Sequence, residues 1–318
     1  MSEPKPNIDT VRALAEKWRN WGRWGEDDEL GTVNFITDEK RAAAAKLVKR
    51  GAVFSLAIAF DDKGPQGARP GRHNPIHHMT QDGGDVAAGR QDRLGGFGYT
   101  DDWIAMPTQC ATQWDALAHI FFEGKMYNGR GPDQVSSRGA RKNSIAVLAD
   151  KVVTRGVLLD IPKLKGVDWL EPGTPIYPED LDAAAEMAGV TVERGDIAII
   201  RTGMIGMVRA QNDWGTYAGG AAPGVSLKCV EWFGEKEIAG YATDTWGTEV
   251  IPNETEGVFQ PVHCVAIVNM GLLVGEIFDL EALAADCAAD GVYEFLFVAP
   301  PLPITGAVGS PINPQAIK

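Results

Sequence analysis

The chain has 318 residues, 44% of them hydrophobic, enough for one large domain or two small ones around a substantial core. A formal charge of −13 repels nucleic acid and anionic membrane surfaces, which argues against both as partners and says little about a small-molecule substrate. The four cysteines, Cys110, Cys229, Cys264 and Cys287, are widely spaced and form no CxxC pair, so neither a disulfide framework nor a zinc knuckle is implied.

Taken in chain order, the start "MSEPKPNIDTVRALAEKW" lacks a basic stretch followed by an apolar one, and a cytoplasmic location is expected. Residues 1–50 read as an N-terminal helical extension. "IDTVRALAEKWRNW" places Val11, Leu14 and Trp18 at helical spacing, and "ITDEKRAAAAKLVKR" has Thr37 as N-cap with acidic residues in its first turn. "AVFSLAIAF" is a strand. Residues 61–100 are rich in Gly, Asp, Arg and Pro and carry His73, His77 and His78; a stretch that long without periodicity is expected to be an active-site loop.

Further on, strands and helices alternate. "VVTRGVLLDI", "DIAIIRTG", "EIAGYATDTW", "LLVGEIF" and "YEFLFVA" read as strands, and "PEDLDAAAEMAGV", "SLKCVEWFGE", "HCVAIVNM" and "LEALAADCAAD" as helices. This pattern defines an α/β fold, and with no repeat or linker to divide it a single domain over residues 1–318 is expected. The longest apolar segment, "VAIVNMGLLVGEIF", is interrupted by Asn269, two glycines and Glu276, so no membrane span is expected.

The chemistry concentrates in "TQCATQWDALAH", residues 108–119. Gln109, Gln113, Asp115 and His119 all occupy odd positions, and on one extended strand ten residues would separate Gln109 from His119 by ~33 Å. For the four to converge the chain must turn after Asp115. A helical turn there would make Asp115 and His119 neighbours on one face, and Gln113 and Asp115 share a strand face. Cys110, at an even position, faces the other way and reads as a small buried hydrophobe rather than a nucleophile. A second constellation is His263 with Glu276, a carboxylate inside an apolar strand that needs a cation or an arginine such as Arg201. Two carboxylates and two imidazoles are the raw material of a divalent-metal site. Trp103, Trp114, Phe121 and Phe122 could wall a pocket for an aromatic or cyclic substrate.

"QCATQWDALAH" resembles the HxGTHxDxPxH signature of the cyclase family of metal-dependent hydrolases, which includes kynurenine formamidases and isatin hydrolase. "RGDIAIIRTG", "APGVSLKCVEWFGEKEIAGYATDTWG" and "PVHCVAIVNMGLLVGEIFDLEAL" are similar to later blocks of that family, in the right order. The resemblance implies a swivelling β/β/α fold with a mixed sheet, a homo-oligomer (dimer or tetramer), and hydrolysis of formamides, cyclic amides or related acyl bonds with Zn or Mn. It places metal ligands at Asp115, His263 and Glu276 and the catalytic histidine at His119. Gln109 and Gln113 stand where the family has two histidine ligands. Gln113 is therefore a candidate metal ligand or, with Gln109, Trp114, Arg201 and His77, a substrate contact. A carboxamide oxygen is a harder, weaker donor than imidazole, which shifts the expectation from Zn toward Mn or toward no metal. A ligand-binding or scaffold protein without turnover is the alternative.

Overall fold

The computed structural model describes residues 5–67 and 71–318. A mixed sheet of nine strands runs through them, in the spatial order Val53–Ser55, Gln315–Ile317, Glu294–Val298, Val153–Asp160, Ile197–Arg201, Gly240–Thr243, Leu273–Glu276, Gln113–Asp115 and Gly309–Pro311. The four strands from Val153–Asp160 to Leu273–Glu276 are parallel to one another, and their neighbours on both sides run antiparallel. Ile197, Ala198, Ile199 and Ile200 are all fully buried, as expected of parallel strands covered on both faces. The α/β reading of the sequence, with a mixed sheet, is the architecture observed.

Most of the expected elements form, with shifted ends. The first helix, Ile8–Lys17, is capped by Asn7 rather than by the Asp–Thr pair after it, and the second, Asp38–Ala45, has the expected Thr37 cap. "AVFSLAIAF" contributes only Val53–Ser55 to the sheet, with Ala57 in an isolated bridge to Phe278. Residues 61–100 are not one irregular loop. Asn74 Nδ2 ties their base together by donating to the carbonyls of Asp62, Gly64 and Gln66. Beyond it, Ile76–Gln81 and Asp101–Ala105 pair into a two-stranded ribbon that is exposed over nearly its whole length.

"HCVAIVNM" folds as the expected helix closed by Gly271, but Cys264–Met270 is wound as a π-helix following one α-turn, Pro261–His263. The wider winding leaves carbonyls near its end for outside donors. The N-terminal extension supplies them. Trp21 Nε1 donates to the Val268 carbonyl at 2.8 Å, and Asn20 donates through its backbone to Asn269 and through Nδ2 to Met270, both at 2.9 Å.

Two features set the register at the sheet's far side. Gly275 sits opposite Trp114, and a Cβ on it would lie 2.5 Å from the indole and 2.8 Å from Ala242. Only glycine lets Trp114 pack flat across the neighbouring strand. Gly309, opposite Asp115, leaves room in the same way for the amide of Gln109.

Candidate metal and catalytic site

The strand Gln113–Asp115 lies between Leu273–Glu276 and Gly309–Pro311, with Gln113 opposite Glu276 and Asp115 opposite Val274. Alternation along the strand puts Gln113 and Asp115 on one face and Trp114 on the other. Gln113 Nε2 donates to Glu276 Oε2 at 2.7 Å. His263 enters from the first turn of the helix before Glu276's strand, and its Nε2 lies 3.3 Å from Glu276 Oε1. Asp115, His263 and Glu276 each offer a ligand atom within 4.8 Å of the others, and all three are buried. The two halves of the site, far apart in sequence, meet here.

The chain turns after Asp115, as the spacing demands, through a single hydrogen-bonded turn (His119 N to Ala116 O, 2.9 Å) rather than the start of a helix. His119 Nε2 then stands 3.9 Å from Asp115 Oδ1, too far for a hydrogen bond. Asp115 Oδ1, Gln113 Oε1 and Gln109 Nε2 are buried without any hydrogen-bond partner. Two orphaned acceptor oxygens stand here beside a second buried carboxylate, with a hydrogen-bond partner or ligand still to be supplied. A divalent cation fits this donor set of carboxylate, carboxamide and imidazole without thiolate.

A residue the sequence did not single out organises His263. Glu249, itself buried, accepts from the backbone N–H groups of Val262 and His263 at 3.0 and 3.1 Å and pairs with His263 Nδ1 at 2.5 Å. One carboxylate thus caps the helix and holds the ring, leaving Nε2 to face Asp115 and Glu276. Carboxylate–imidazole pairing of this kind fixes the tautomer of a metal-binding histidine. Glu249 stands 14 positions before His263 with no spacing signal to reveal it.

The protonation states follow from burial and these pairings. Burial raises the Asp115 carboxyl to about 6, against the opposing pull of His119. Burial lowers His119, with the Asp115 charge acting the other way, so its imidazole is neutral near pH 7. For His263 burial alone would lower the ring, but Glu249 and Glu276 outweigh it and push it up to about 10.

Three residues expected as substrate contacts have other partners here. Trp114 is fully buried on the opposite face of its strand, against Phe278 and Phe297, with Nε1 donating to Ala299 O. Arg201 pairs with Asp160 and Glu281 at a separate cavity, so it neither contacts the site nor neutralises Glu276. His77 is half exposed on the ribbon and pairs with Asp102 at 2.7 Å. Cys110 is buried in an apolar cluster, and burial pushes its thiol up to about 11, which suits packing and not nucleophilic attack. Asp244 accepts from the N–H groups of Thr202 and Gly203 at 2.7 Å and holds the turn after Arg201.

The model of the Cyclase family matches residues 35–250, more than half of the chain, which belongs to that family. A solved structure described as a novel cyclase is 38% identical and superposes with a TM-score of 0.86, covering 96% of this chain and 99% of that one. Isatin hydrolase A from Ralstonia solanacearum (19% identity, TM-score 0.63, 88% of this chain and 97% of that one) shares the fold. So does isatin hydrolase A from Labrenzia aggregata, at 17% identity and a TM-score of 0.60 over 86% of this chain and 94% of that one. No curated protein matches the chain. Among the described residues no helix is long and apolar enough to cross a membrane.

Proposed function

We propose that this cyclase-family chain hydrolyses an acyl C–N or C–O bond in a small substrate such as a formamide, cyclic amide or lactone. The reading rests on one observation: Asp115, His263 and Glu276 converge within 4.8 Å around orphaned oxygens, with His119 beside them. Asp115, His263 and Glu276 would hold a divalent cation, with Gln113 Oε1 in reach as a neutral donor. Such a cation supplies Lewis acidity toward the scissile carbonyl and makes a neighbouring water easier to deprotonate. Glu249 keeps His263 Nε2 directed at that position, and Gln113 Nε2 holds Glu276 in place. His119, neutral and only partly exposed, takes the proton from the attacking water and returns it to the leaving nitrogen or oxygen. Gln109 Nε2 is an unused donor for the carbonyl oxygen as it gains negative charge. The isatin hydrolase names of the fold neighbours agree with this type of reaction.

The test is a screen of formamides, lactams and lactones before and after chelation. Turnover that disappears on stripping and returns with Mn is the expected result. No turnover of any class by Mn-loaded protein would leave a binding or scaffold role instead.

Metal binding should depend on pH. The Asp115 carboxyl, raised from 3.8 to about 6, is protonated in the metal-free protein at pH 5 and ionised at pH 8. His263, raised from 6.5 to about 10, carries a proton at both. A cation must displace whatever protons are present. Mn affinity, followed by titration calorimetry, therefore rises from pH 5 to pH 8, most steeply below 6 where both residues release one. An affinity that is flat across this range would rule the two residues out as ligands.

A further inference from the structure

We propose that Arg72 is the anchor for a carboxylate on the substrate, so that the natural substrate is an anion rather than a neutral compound. The inference rests on the hydrolase site above and names its substrate class.

Arg72 stands two residues before Asn74, whose Nδ2 donates to the carbonyls of Asp62, Gly64 and Gln66. Its guanidinium lies 4.9 Å from the centre of the Trp246 ring. Trp246 Nε1 donates to Gln66 Oε1 at 3.4 Å, and Gln66 Nε2 donates to the Cys110 carbonyl at 2.8 Å, next to Gln109. Asn74 Oδ1 accepts from Gln66 N at 2.8 Å and closes the base of the segment. Arg72 is thus tied through two side chains to the loop that carries Gln109. The indole under Arg72 follows Thr245, whose carbonyl accepts from Ile277 N at 3.0 Å, so it sits at the end of the strand that carries Glu276.

Among the described residues Arg72 makes no ion pair, whereas Arg201, Arg155 and Arg209 are each matched with carboxylates. It is half-buried, so its charge is partly withdrawn from water with no carboxylate paired to it among the described residues. A guanidinium held flat on an indole presents its N–H edge as a fork that matches a carboxylate. Asp115, Glu249 and Glu276 would otherwise repel an anionic substrate, and Arg72 supplies the attraction that lets one approach. Gln109 Nε2, also unpartnered, offers a second donor in the same loop.

The experiment compares benzoate with benzamide, two probes of like shape that differ in charge, by calorimetric titration into the Mn-loaded protein. Binding needs no turnover, so the result stands apart from the hydrolase reading. Wild type should prefer benzoate by about ten-fold or more, the scale of a charge-assisted bidentate pair. Arg72→Gln should bring the two probes to near equality, and Arg72→Lys should restore part of the preference. Equal binding of both probes by wild type would overturn the proposal. So would a benzoate preference that survives Arg72→Gln, since the carboxylate would then be held by the metal or by Gln109. A wild type that turns over formamides but shows no preference would sink the role of Arg72 alone and leave the hydrolase intact.

Discussion

Replacing His119 with alanine should lower kcat by about 10²–10⁴-fold on the best substrate of the hydrolysis screen, the usual span for loss of a positioned general base. The metal should still bind with nearly wild-type affinity, because His119 is not among the three residues that converge as ligands. The reasoning is geometric. At 3.9 Å from Asp115 Oδ1 the imidazole is too distant to be fixed by a direct hydrogen bond, yet near enough to share a water with that carboxylate. Burial keeps the ring neutral and able to accept a proton. Its side chain is 20% exposed, so substrate and water can reach it, unlike the sealed His263 at 2%. Steady-state kinetics paired with Mn titration decides the matter. A His119→Ala protein that retains full turnover removes the assigned base, and one that loses metal makes His119 a ligand instead.

The second large effect is expected from Asp115→Asn, which keeps shape and removes charge. Loss of a ligand carboxylate should weaken Mn binding beyond the ~10–100-fold that removal of an outer partner such as Glu249 costs. Stability should move the other way. The wild-type carboxyl titrates near 6 when folded and near 3.8 when free, so the folded state favours its protonated form. The stability linked to that proton is present below about 4 and lost as pH rises through about 6. At pH 8 the metal-free wild type therefore carries a buried carboxylate charge, disfavoured chiefly by its burial, that the asparagine variant lacks. The variant should melt higher than wild type without metal and gain little when Mn is added, whereas wild type gains much. Thermal melts with and without Mn at pH 8 test both signs. A variant that melts lower in both conditions would assign Asp115 a purely structural role.

How far the site could be read from sequence depends on how local its physics is. Gln113 and Asp115 share a face because a strand alternates, and that follows from position alone. The carboxylate of Glu276 inside an apolar strand signalled an unpaired charge, and the pairing with Gln113 and His263 answers it. What could not be read is set by tertiary neighbours. Trp114 read as a pocket aromatic, but alternation turned it away, and Gly275 across the ladder made the space that accepts it. Arg201 read as a substrate contact, while Asp160 and Glu281, brought beside it by the fold, claim its guanidinium. Glu249 acts through a helix start on a different segment, which no spacing encodes.

The elements divide in the same way. The buried parallel strands announce themselves through apolar runs, whereas the edge strand Gly309–Pro311 contains glycine and proline and has no strand signature of its own. It exists because Gln113–Asp115 needs a partner on its open side. The helix Met204–Gln211 likewise has no start signal in the sequence, since its N-terminus is set by the left-handed Gly203 and by Asp244 holding the turn, not by a capping side chain of its own.

The decisive measurement is anomalous diffraction from crystals of the wild-type protein soaked in Mn. A manganese peak bounded by the carboxylates of Asp115 and Glu276 and by Nε2 of His263, with His119 outside it, is the predicted result. A peak at any other position, or none at saturating Mn, would contradict the claim that these three side chains form a metal centre.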